Sequence, residues 1–215
     1  MLTIFVGTLT DYFRAGFPKD DRPDRAQLQP RVEEWRKYIT DGLVGAGHVE
    51  SAPNWSEEPQ EAFTHVLTVE ALQALRLLLV HTHGCAEPPT ELPAKFDEHP
   101  KWKEAFDGGF EEAGAFDQIL VPEMWWPDAE FDFTFECPYP DGHEVQSGSI
   151  GALRRQLLEV GRSKLPGTTA QRDEWRTDVP QGTRDMATLT RYAFAALDAS
   201  VTEAVQRGLP MLLHW

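Results

Sequence analysis

The densest group of nitrogen and sulfur ligands in the sequence is the stretch HTHGC, which contains His81, His83 and Cys85. On an extended segment, residues two apart point to the same face, so these three side chains would form one row of donors. Such a row can hold zinc, with water or a carboxylate from Glu87 or Asp97 in the fourth position. The cluster therefore predicts a zinc site, although it lacks the Cys-x-x-Cys and His-Glu-x-x-His spacings of established zinc motifs.

A structural role is the alternative for the same cluster. The two histidines would end a helix, where a protonated ring interacts favourably with the C-terminal dipole, and Cys85 would be buried as a small apolar residue. A third possibility is catalysis by a cysteine nucleophile, for which Cys85 beside His83 is the better candidate. Cys137 shares a strand face with three phenylalanines and is expected to be buried and inert.

Other catalytic signatures are missing from the sequence. It contains no Gly-x-Ser-x-Gly, no Gly-x-Gly-x-x-Gly and no Walker-type Gly-Lys-Ser/Thr, which removes the sequence signals for a serine hydrolase and for a phosphate-binding loop. Paired carboxylates are frequent, but no spacing distinguishes a catalytic acid from a base. In a chain of net charge −15, such pairs are expected on the solvated surface.

Charge is distributed unevenly along the 215 residues. Residues 85–145 carry 16 acidic residues against three lysines, residues 1–84 carry 12 against eight basic ones, and residues 146–215 carry seven against nine. Nearly the whole negative surplus therefore lies in the middle third. This distribution disfavours nucleic acids and anionic membranes as partners, because both are bound through clustered Lys and Arg.

The acidic third also contains 11 of the 23 aromatic residues. Aromatic rings surrounded by carboxylates are suitable contacts for the Arg and Lys side chains of a basic protein, through cation–π contacts and charge-assisted hydrogen bonds. The alternative is that these rings fill the core and the acids keep the protein soluble. The candidate partner-binding residues are Trp102, Glu111, Glu112, Trp125, Trp126, Asp128 and Glu130.

Hydrophobic periodicity predicts the elements that must position these groups. A first strand is expected over 2–7, a helix with Pro30 in its first turn, and a helix capped by Thr68 that reaches about His81. A strand is expected over 118–121, a long loop over 163–184 and a helix over 185–207. The apolar tail 211–215 is expected to add a final strand or to pack on the core.

The clearest local prediction is a β-hairpin over 131–146. Phe131, Phe133, Phe135 and Cys137 alternate with polar residues, and Pro-Asp-Gly at 140–142 supplies the turn. Ser149 is then expected to cap a helix. These elements predict a single α+β domain over 1–215, with a mixed or antiparallel sheet packed against three or four helices.

Cytoplasmic residence is expected, because the sequence shows no signal-peptide pattern, no membrane-length apolar run and no disulfide framework. We expect a protein-binding module, of the inhibitor or immunity type, that neutralises a basic partner through its acidic, aromatic-rich segment. The alternative is a metal-assisted hydrolase that uses His81, His83 and Cys85. No cofactor other than zinc is indicated, and the oligomeric state is left open.

Overall fold

The computed structural model describes residues 1–48, 53, 55–83, 86–110, 116–121, 124–138 and 143–214. Within these ranges the protein has eight α-helices and one open, six-stranded mixed sheet. The predicted α+β fold class is therefore confirmed. The strands are β1 Leu2–Val6, β2 Phe63–Leu67, β3 Met124–Trp126, β4 Phe135–Pro138, β5 Glu144–Ser147 and β6 Met211–His214.

Four long helices and four short ones surround this sheet. The long helices are α2 Arg25–Gly45, α3 Val69–His83, α6 Ile150–Ser163 and α8 Met186–Arg207. The short helices are α1 Leu9–Ala15, α4 Pro100–Asp107, α5 Asp117–Leu120 and α7 Thr169–Trp175, with a 3-10 turn at Phe96–Glu98. Over the described ranges, none of these helices combines the length and apolarity that a membrane span requires.

The sheet has the strand order β2-β1-β6-β3-β5-β4. Every neighbouring pair is antiparallel except β3 and β5, which run parallel. The predicted final strand is confirmed, and it occupies an interior position. Thr3 of β1 pairs with His214 on one side of β6, and Trp125 of β3 pairs with Leu212 on the other.

Each face of the sheet contributes to a separate hydrophobic cluster, because successive strand residues point to opposite faces. Leu2, Ile4 and Val6 of β1 pack with α3, α6 and α8. Phe5, which lies between them in sequence, packs with residues of α1 and α2 on the other face. Helices thus cover both faces of the sheet.

Side-chain caps begin α3 and α6 where the sequence indicated. The Thr68 hydroxyl accepts from the Ala71 N–H at 3.1 Å, and the Ser149 hydroxyl accepts from the Ala152 N–H at 3.0 Å. Both predicted caps are confirmed. An N-cap oxygen satisfies one of the N–H groups that have no partner within the helix.

α2 begins earlier than predicted. It starts at Arg25, so Pro30 lies inside the helix and not in its first turn, and that prediction was wrong. Asp24 and Gln27 stabilise the earlier start, since the Asp24 N–H donates to the Gln27 side chain at 3.1 Å. Pro30 leaves one backbone carbonyl without its helical donor, while the additional turn buries Leu28.

The predicted hairpin is confirmed as the antiparallel pair β4–β5, and its turn residues 140–142 lie outside the described residues. Its first strand begins at Phe135 and not at Phe131. The Ser149 hydroxyl donates to the Phe131 carbonyl at 2.8 Å and accepts from the Phe131 N–H at 3.3 Å. A side chain therefore takes the backbone groups that a strand partner would otherwise bind.

Two further segments differ from the prediction. Residues 118–121 were expected to form a strand, but α5 occupies most of this segment, and the buried Arg76 donates to the carbonyls of Ile119 and Val121 at 2.9 Å each. The expected loop over 163–184 contains α7, which a capping box between Thr168 and Gln171 begins.

Candidate functional site

The three tryptophans of the predicted partner-binding set are core residues. Trp102, Trp125 and Trp126 expose 7%, 0% and 2% of their surface. A partner could not contact these indoles without opening the core. A binding surface on the folded protein therefore excludes them.

The position of β3 explains why Trp125 and Trp126 are both buried. They are adjacent in the strand and point to opposite faces, and helices cover both faces of the sheet. The Trp125 ring packs 4.8 Å from Trp35 of α2 and 5.8 Å from Trp55, measured between ring centroids. Trp126 belongs to the cluster that α3, α6 and α8 form.

The acidic residues of the middle third lie at the surface, unlike its tryptophans. Ten of the twelve described acidic residues between 86 and 145 are exposed, and the other two, Asp117 and Asp128, are partly buried. Two of the three lysines pair with nearby acids, Lys95 with Glu98 at 2.8 Å and Lys101 with Glu104 at 2.7 Å. Glu111 and Glu112 lie outside the described residues.

Four exposed acids surround the hairpin, and we name Glu130, Asp132, Glu136 and Glu144 the hairpin acids. Arg155 of α6 forms ion pairs with Glu130 and Asp132. Glu136 and Glu144 lie diagonally across the β4–β5 ladder, on the same strand face, and neither forms an ion pair with a described residue. The hairpin acids and Arg155 together carry a net charge of −3.

Asp128 has a different environment from the hairpin acids. Its carboxyl is partly buried, and burial raises its pKa above the ordinary value. Its Oδ2 atom lies 3.4 Å from the position that a Cβ would occupy at Gly208, the left-handed residue that ends α8. Asp128 therefore packs against the end of α8 and is less available to a partner than Glu130.

Cys137 is buried on the inner face of the hairpin, as predicted, with 3% of its surface exposed. Burial raises the pKa of its thiol to about 11. Only a minute fraction of the thiol is ionised near neutral pH, and the thiolate is the reactive form. Cys137 is therefore expected to react slowly in the folded protein.

The proposed metal ligands are arranged differently from the prediction. α3 continues to His83, so His81 and His83 are two residues apart on a helix, about 200° around its axis. The predicted extended row is therefore wrong. The side chain of His83, and Cys85, lie outside what the structure describes.

His81 approaches a different histidine, one that the sequence did not single out. Its ring is 5.2 Å from the ring of His99, and neither of its nitrogens has a hydrogen-bond partner among the described residues. Burial, then the neighbouring His99, lowers the pKa of His81, which favours the neutral ring. Across the described ranges, no group of three or more His, Cys, Asp or Glu side chains could hold a metal ion.

A cavity of about 510 Å³ lies between α1, α2 and the sheet, and we name it the α1–α2 pocket. Its apolar lining comes from Phe5 of β1, Phe13 of α1, and Leu28 and Val32 of α2. Arg31 and His214 also line it, and none of its described lining residues is acidic. The pocket is thus opposite in charge to the surface of the middle third.

Tyr12 and His214 form a polar pair at this pocket. The Tyr12 hydroxyl lies 2.9 Å from His214 Nδ1, and the two rings meet edge to face at 5.7 Å. The Tyr12 hydroxyl donates to Nδ1 if the ring hydrogen of His214 is on Nε2, and it accepts from Nδ1 if the hydrogen is there.

A buried carboxylate holds α1 in place beside the pocket. Glu57 is 4% exposed and accepts from the Leu9 N–H at 3.2 Å, the Thr10 N–H at 3.0 Å and the Trp55 indole N–H at 2.6 Å. Arg25 of α2 pairs with Asp11 of α1 at 2.5 Å. The pocket wall formed by α1 is thus tied both to the loop that follows α2 and to α2 itself.

Comparison with protein-family models, with curated proteins and with solved structures finds no match for the chain. The function must therefore be inferred from the residues and their geometry.

Proposed function

We propose that this protein binds a basic protein through its hairpin acids and inhibits it, as an immunity-type protein does. The observation that carries the proposal is the exposure of ten of the twelve described acidic residues in the middle third. Acids that only balanced internal cations would be paired and partly buried. These acids greatly outnumber the described cations of the same segment.

The hairpin acids are the best-placed group for such a contact. Glu136 and Glu144 share one strand face, and β4 has a strand partner on one side only among the described residues. A cluster of one sign on a projecting edge attracts an oppositely charged partner over several ångströms and raises the association rate. Lys and Arg of the partner would then form charge-assisted hydrogen bonds with these carboxylates.

Partly exposed phenylalanines replace the tryptophans as aromatic contacts. Phe133 and Phe135 are partly buried, and their ring centroids are 6.0 Å apart. A guanidinium group can stack on the exposed part of such a ring, which for Phe135 lies on the strand face opposite to Glu136 and Glu144. The hairpin therefore offers both kinds of contact that the sequence indicated, charge-assisted hydrogen bonds and cation–π contacts, with phenylalanine rings in place of the tryptophans.

The test begins with affinity capture from the source cells at low and moderate salt, which identifies the partner. Its association rate is then measured by stopped flow with the triple variant Asp132→Lys, Glu136→Lys, Glu144→Lys. At low ionic strength we expect the association rate to fall on the order of 10- to 100-fold, with weaker salt dependence. An unchanged rate would refute the proposed site.

A matched control separates the effect of charge at the hairpin from the effect of the protein's net charge. The triple variant Glu34→Lys, Glu174→Lys, Asp178→Lys changes the net charge equally at exposed positions elsewhere, and it should slow association much less. Charged side chains on an edge strand also prevent pairing with a second copy of the chain. Size measurement of both variants therefore has to show that neither associates with itself.

The alternative, a metal-assisted hydrolase, depends on His81. The ring separation of 5.2 Å from His99 would suit two imidazoles bound to one tetrahedral zinc, for which each Zn–N distance is about 2.0 Å. Elemental analysis and a thermal shift with zinc test this candidate, with His99→Gln as the variant that should abolish the shift. Protein without stoichiometric zinc, and with no shift, would contradict it.

A further inference from the structure

We propose that the α1–α2 pocket is a binding site for a small, neutral molecule with a planar aromatic body. This inference does not depend on the proposed function, because the pocket is built from α1, α2, β1, β6 and the residues that follow α1 and not from the hairpin. Its volume of about 510 Å³ lies within the usual range of about 300–1,000 Å³ for small-molecule sites, which are lined mainly by apolar and aromatic side chains.

The aromatic lining determines the shape of the ligand. The ring centroids of Phe5 and Tyr12 are 5.3 Å apart, as are those of Tyr12 and Phe13, so these three rings form one continuous group. A further planar ring can pack against such a group in an offset or edge-to-face arrangement. A globular aliphatic body of the same size would lack this contact, and the lining therefore favours a planar aromatic one.

Apolar surface in contact with water provides the driving force for binding. Phe17, in the loop after α1, exposes 41% of its surface, and Phe5 and Phe13 are partly exposed. A ligand that covers these three rings removes apolar surface from water, which is the main favourable contribution to such binding. Leu28 and Val32 of α2 are buried and add aliphatic surface to the lining.

The polar lining disfavours a charged ligand, because its groups are already engaged. Tyr12 and His214 share a hydrogen bond at 2.9 Å, whichever of the two donates, and Arg31 also has an interaction partner. A charged ligand group would lose hydration without gaining an unengaged opposite charge from the described lining residues, which is unfavourable. The Thr3 hydroxyl can both donate and accept, so one neutral polar group on the ligand is compatible with the pocket.

Three probes of similar size test the shape and the charge of the ligand. Calorimetric titration with 2-naphthol, which is planar and neutral, should give saturable one-to-one binding with a Kd below about 1 mM. Neutral but globular 1-adamantanol and planar but anionic 2-naphthoate should each bind about tenfold more weakly. Absence of saturable 2-naphthol binding, or equal affinity for either of the other probes, would overturn the proposal.

Intermolecular nuclear Overhauser effects locate the bound probe. The ring protons of 2-naphthol should give cross-peaks to the methyl groups of Ala15, Leu28 and Val32, which belong to the α1 and α2 walls of the pocket. Leu158 and Val205 line a separate cavity beside the start of α6. Cross-peaks to their methyl groups in place of those of the α1–α2 pocket would refute the site.

A matched pair of variants at exposed aromatic residues tests the same contact. Phe17→Ala removes a ring of the lining and should weaken 2-naphthol binding about three- to tenfold. Tyr38→Ala removes a ring that is 61% exposed and outside the described lining, and it should leave binding unchanged. Neither ring belongs to a hydrophobic cluster, so both variants should keep the circular dichroism spectrum of the wild type. Equal affinities of the two variants would refute the contact with Phe17 and the site with it.

Discussion

Removal of the Glu57 carboxylate should cost more stability than any single surface change in this protein. Glu57 accepts from the Leu9 and Thr10 N–H groups and from the Trp55 indole within a site that is 4% exposed. In Glu57→Ala, all three donors lose their acceptor, and Arg25 retains only Asp11 as its charge partner.

The magnitude follows from these contacts. A hydrogen bond to a charged group contributes about 1.5–3 kcal/mol, so three of them set an upper limit near 9 kcal/mol. Contacts that share one carboxylate are not additive, and removing the carboxylate also relieves its own burial cost. We therefore expect Glu57→Ala to lower the free energy of unfolding by about 3–5 kcal/mol.

A graded pair of variants distinguishes lost acceptors from lost volume. Glu57→Gln keeps one oxygen for Leu9 and Trp55, but it turns an amide N–H toward Thr10. Its free energy of unfolding should therefore fall by less than that of Glu57→Ala, by about 1–3 kcal/mol. Glu58→Ala changes the exposed neighbouring residue and should stay within about 0.5 kcal/mol of the wild type.

Urea unfolding followed by tryptophan fluorescence and circular dichroism measures all three variants. Trp55 reports directly on the site, because its indole is one of the donors. A loss below about 1 kcal/mol for Glu57→Ala would show that the three hydrogen bonds contribute little net stability, and the reasoning would fail. A Glu57→Gln variant less stable than Glu57→Ala would refute the assigned acceptor arrangement.

Two further predictions concern partly buried and buried titratable groups. Burial raises the pKa of Asp128, so the native state keeps this proton to a higher pH than the unfolded chain, and the carboxyl costs stability once the pH exceeds about 3.9. Asp128→Asn should therefore stabilise the protein at pH 7 in urea unfolding, with a difference that shrinks toward pH 3; an equal difference at both pH values would contradict this. Cys137, with a thiol pKa of about 11, should react slowly with a disulfide reagent at pH 8 in a Cys85→Ser background and rapidly after unfolding in urea. Fast reaction of the native protein would contradict its burial.

Local signals in the sequence predicted the elements well. The Ser149 cap, the Thr68 cap and the hairpin each depend on residues a few positions apart, and the structure confirms them. Two of the errors arose where a distant side chain changed a local preference, whereas the early start of α2 and the missed α7 follow from local caps. The Ser149 hydroxyl binds the Phe131 backbone, and Arg76 binds carbonyls in the 118–121 segment.

The candidate site was harder to predict because burial depends on the sheet order. Trp125 and Trp126 lie in an acidic, irregular part of the sequence, and no local pattern shows that β3 is an interior strand. The α1–α2 pocket combines Tyr12 with His214, which are 202 positions apart. Glu57 is one of several acids in a loop, and only the fold shows that the α1 amides point to it.

The interior position of β6 has a consequence for how the chain is made. β2-β1 and β3-β5-β4 are two separate groups of strands, and the described sheet joins them only through residues 211–214. While the ribosome is still adding these residues, β1 and β3 each have one edge without a partner. Pairings between distant segments form slowly, and unpaired edges promote association between chains. The nascent chain is therefore most prone to misassembly shortly before β6 is released, when nearly all of its core residues have already been synthesised.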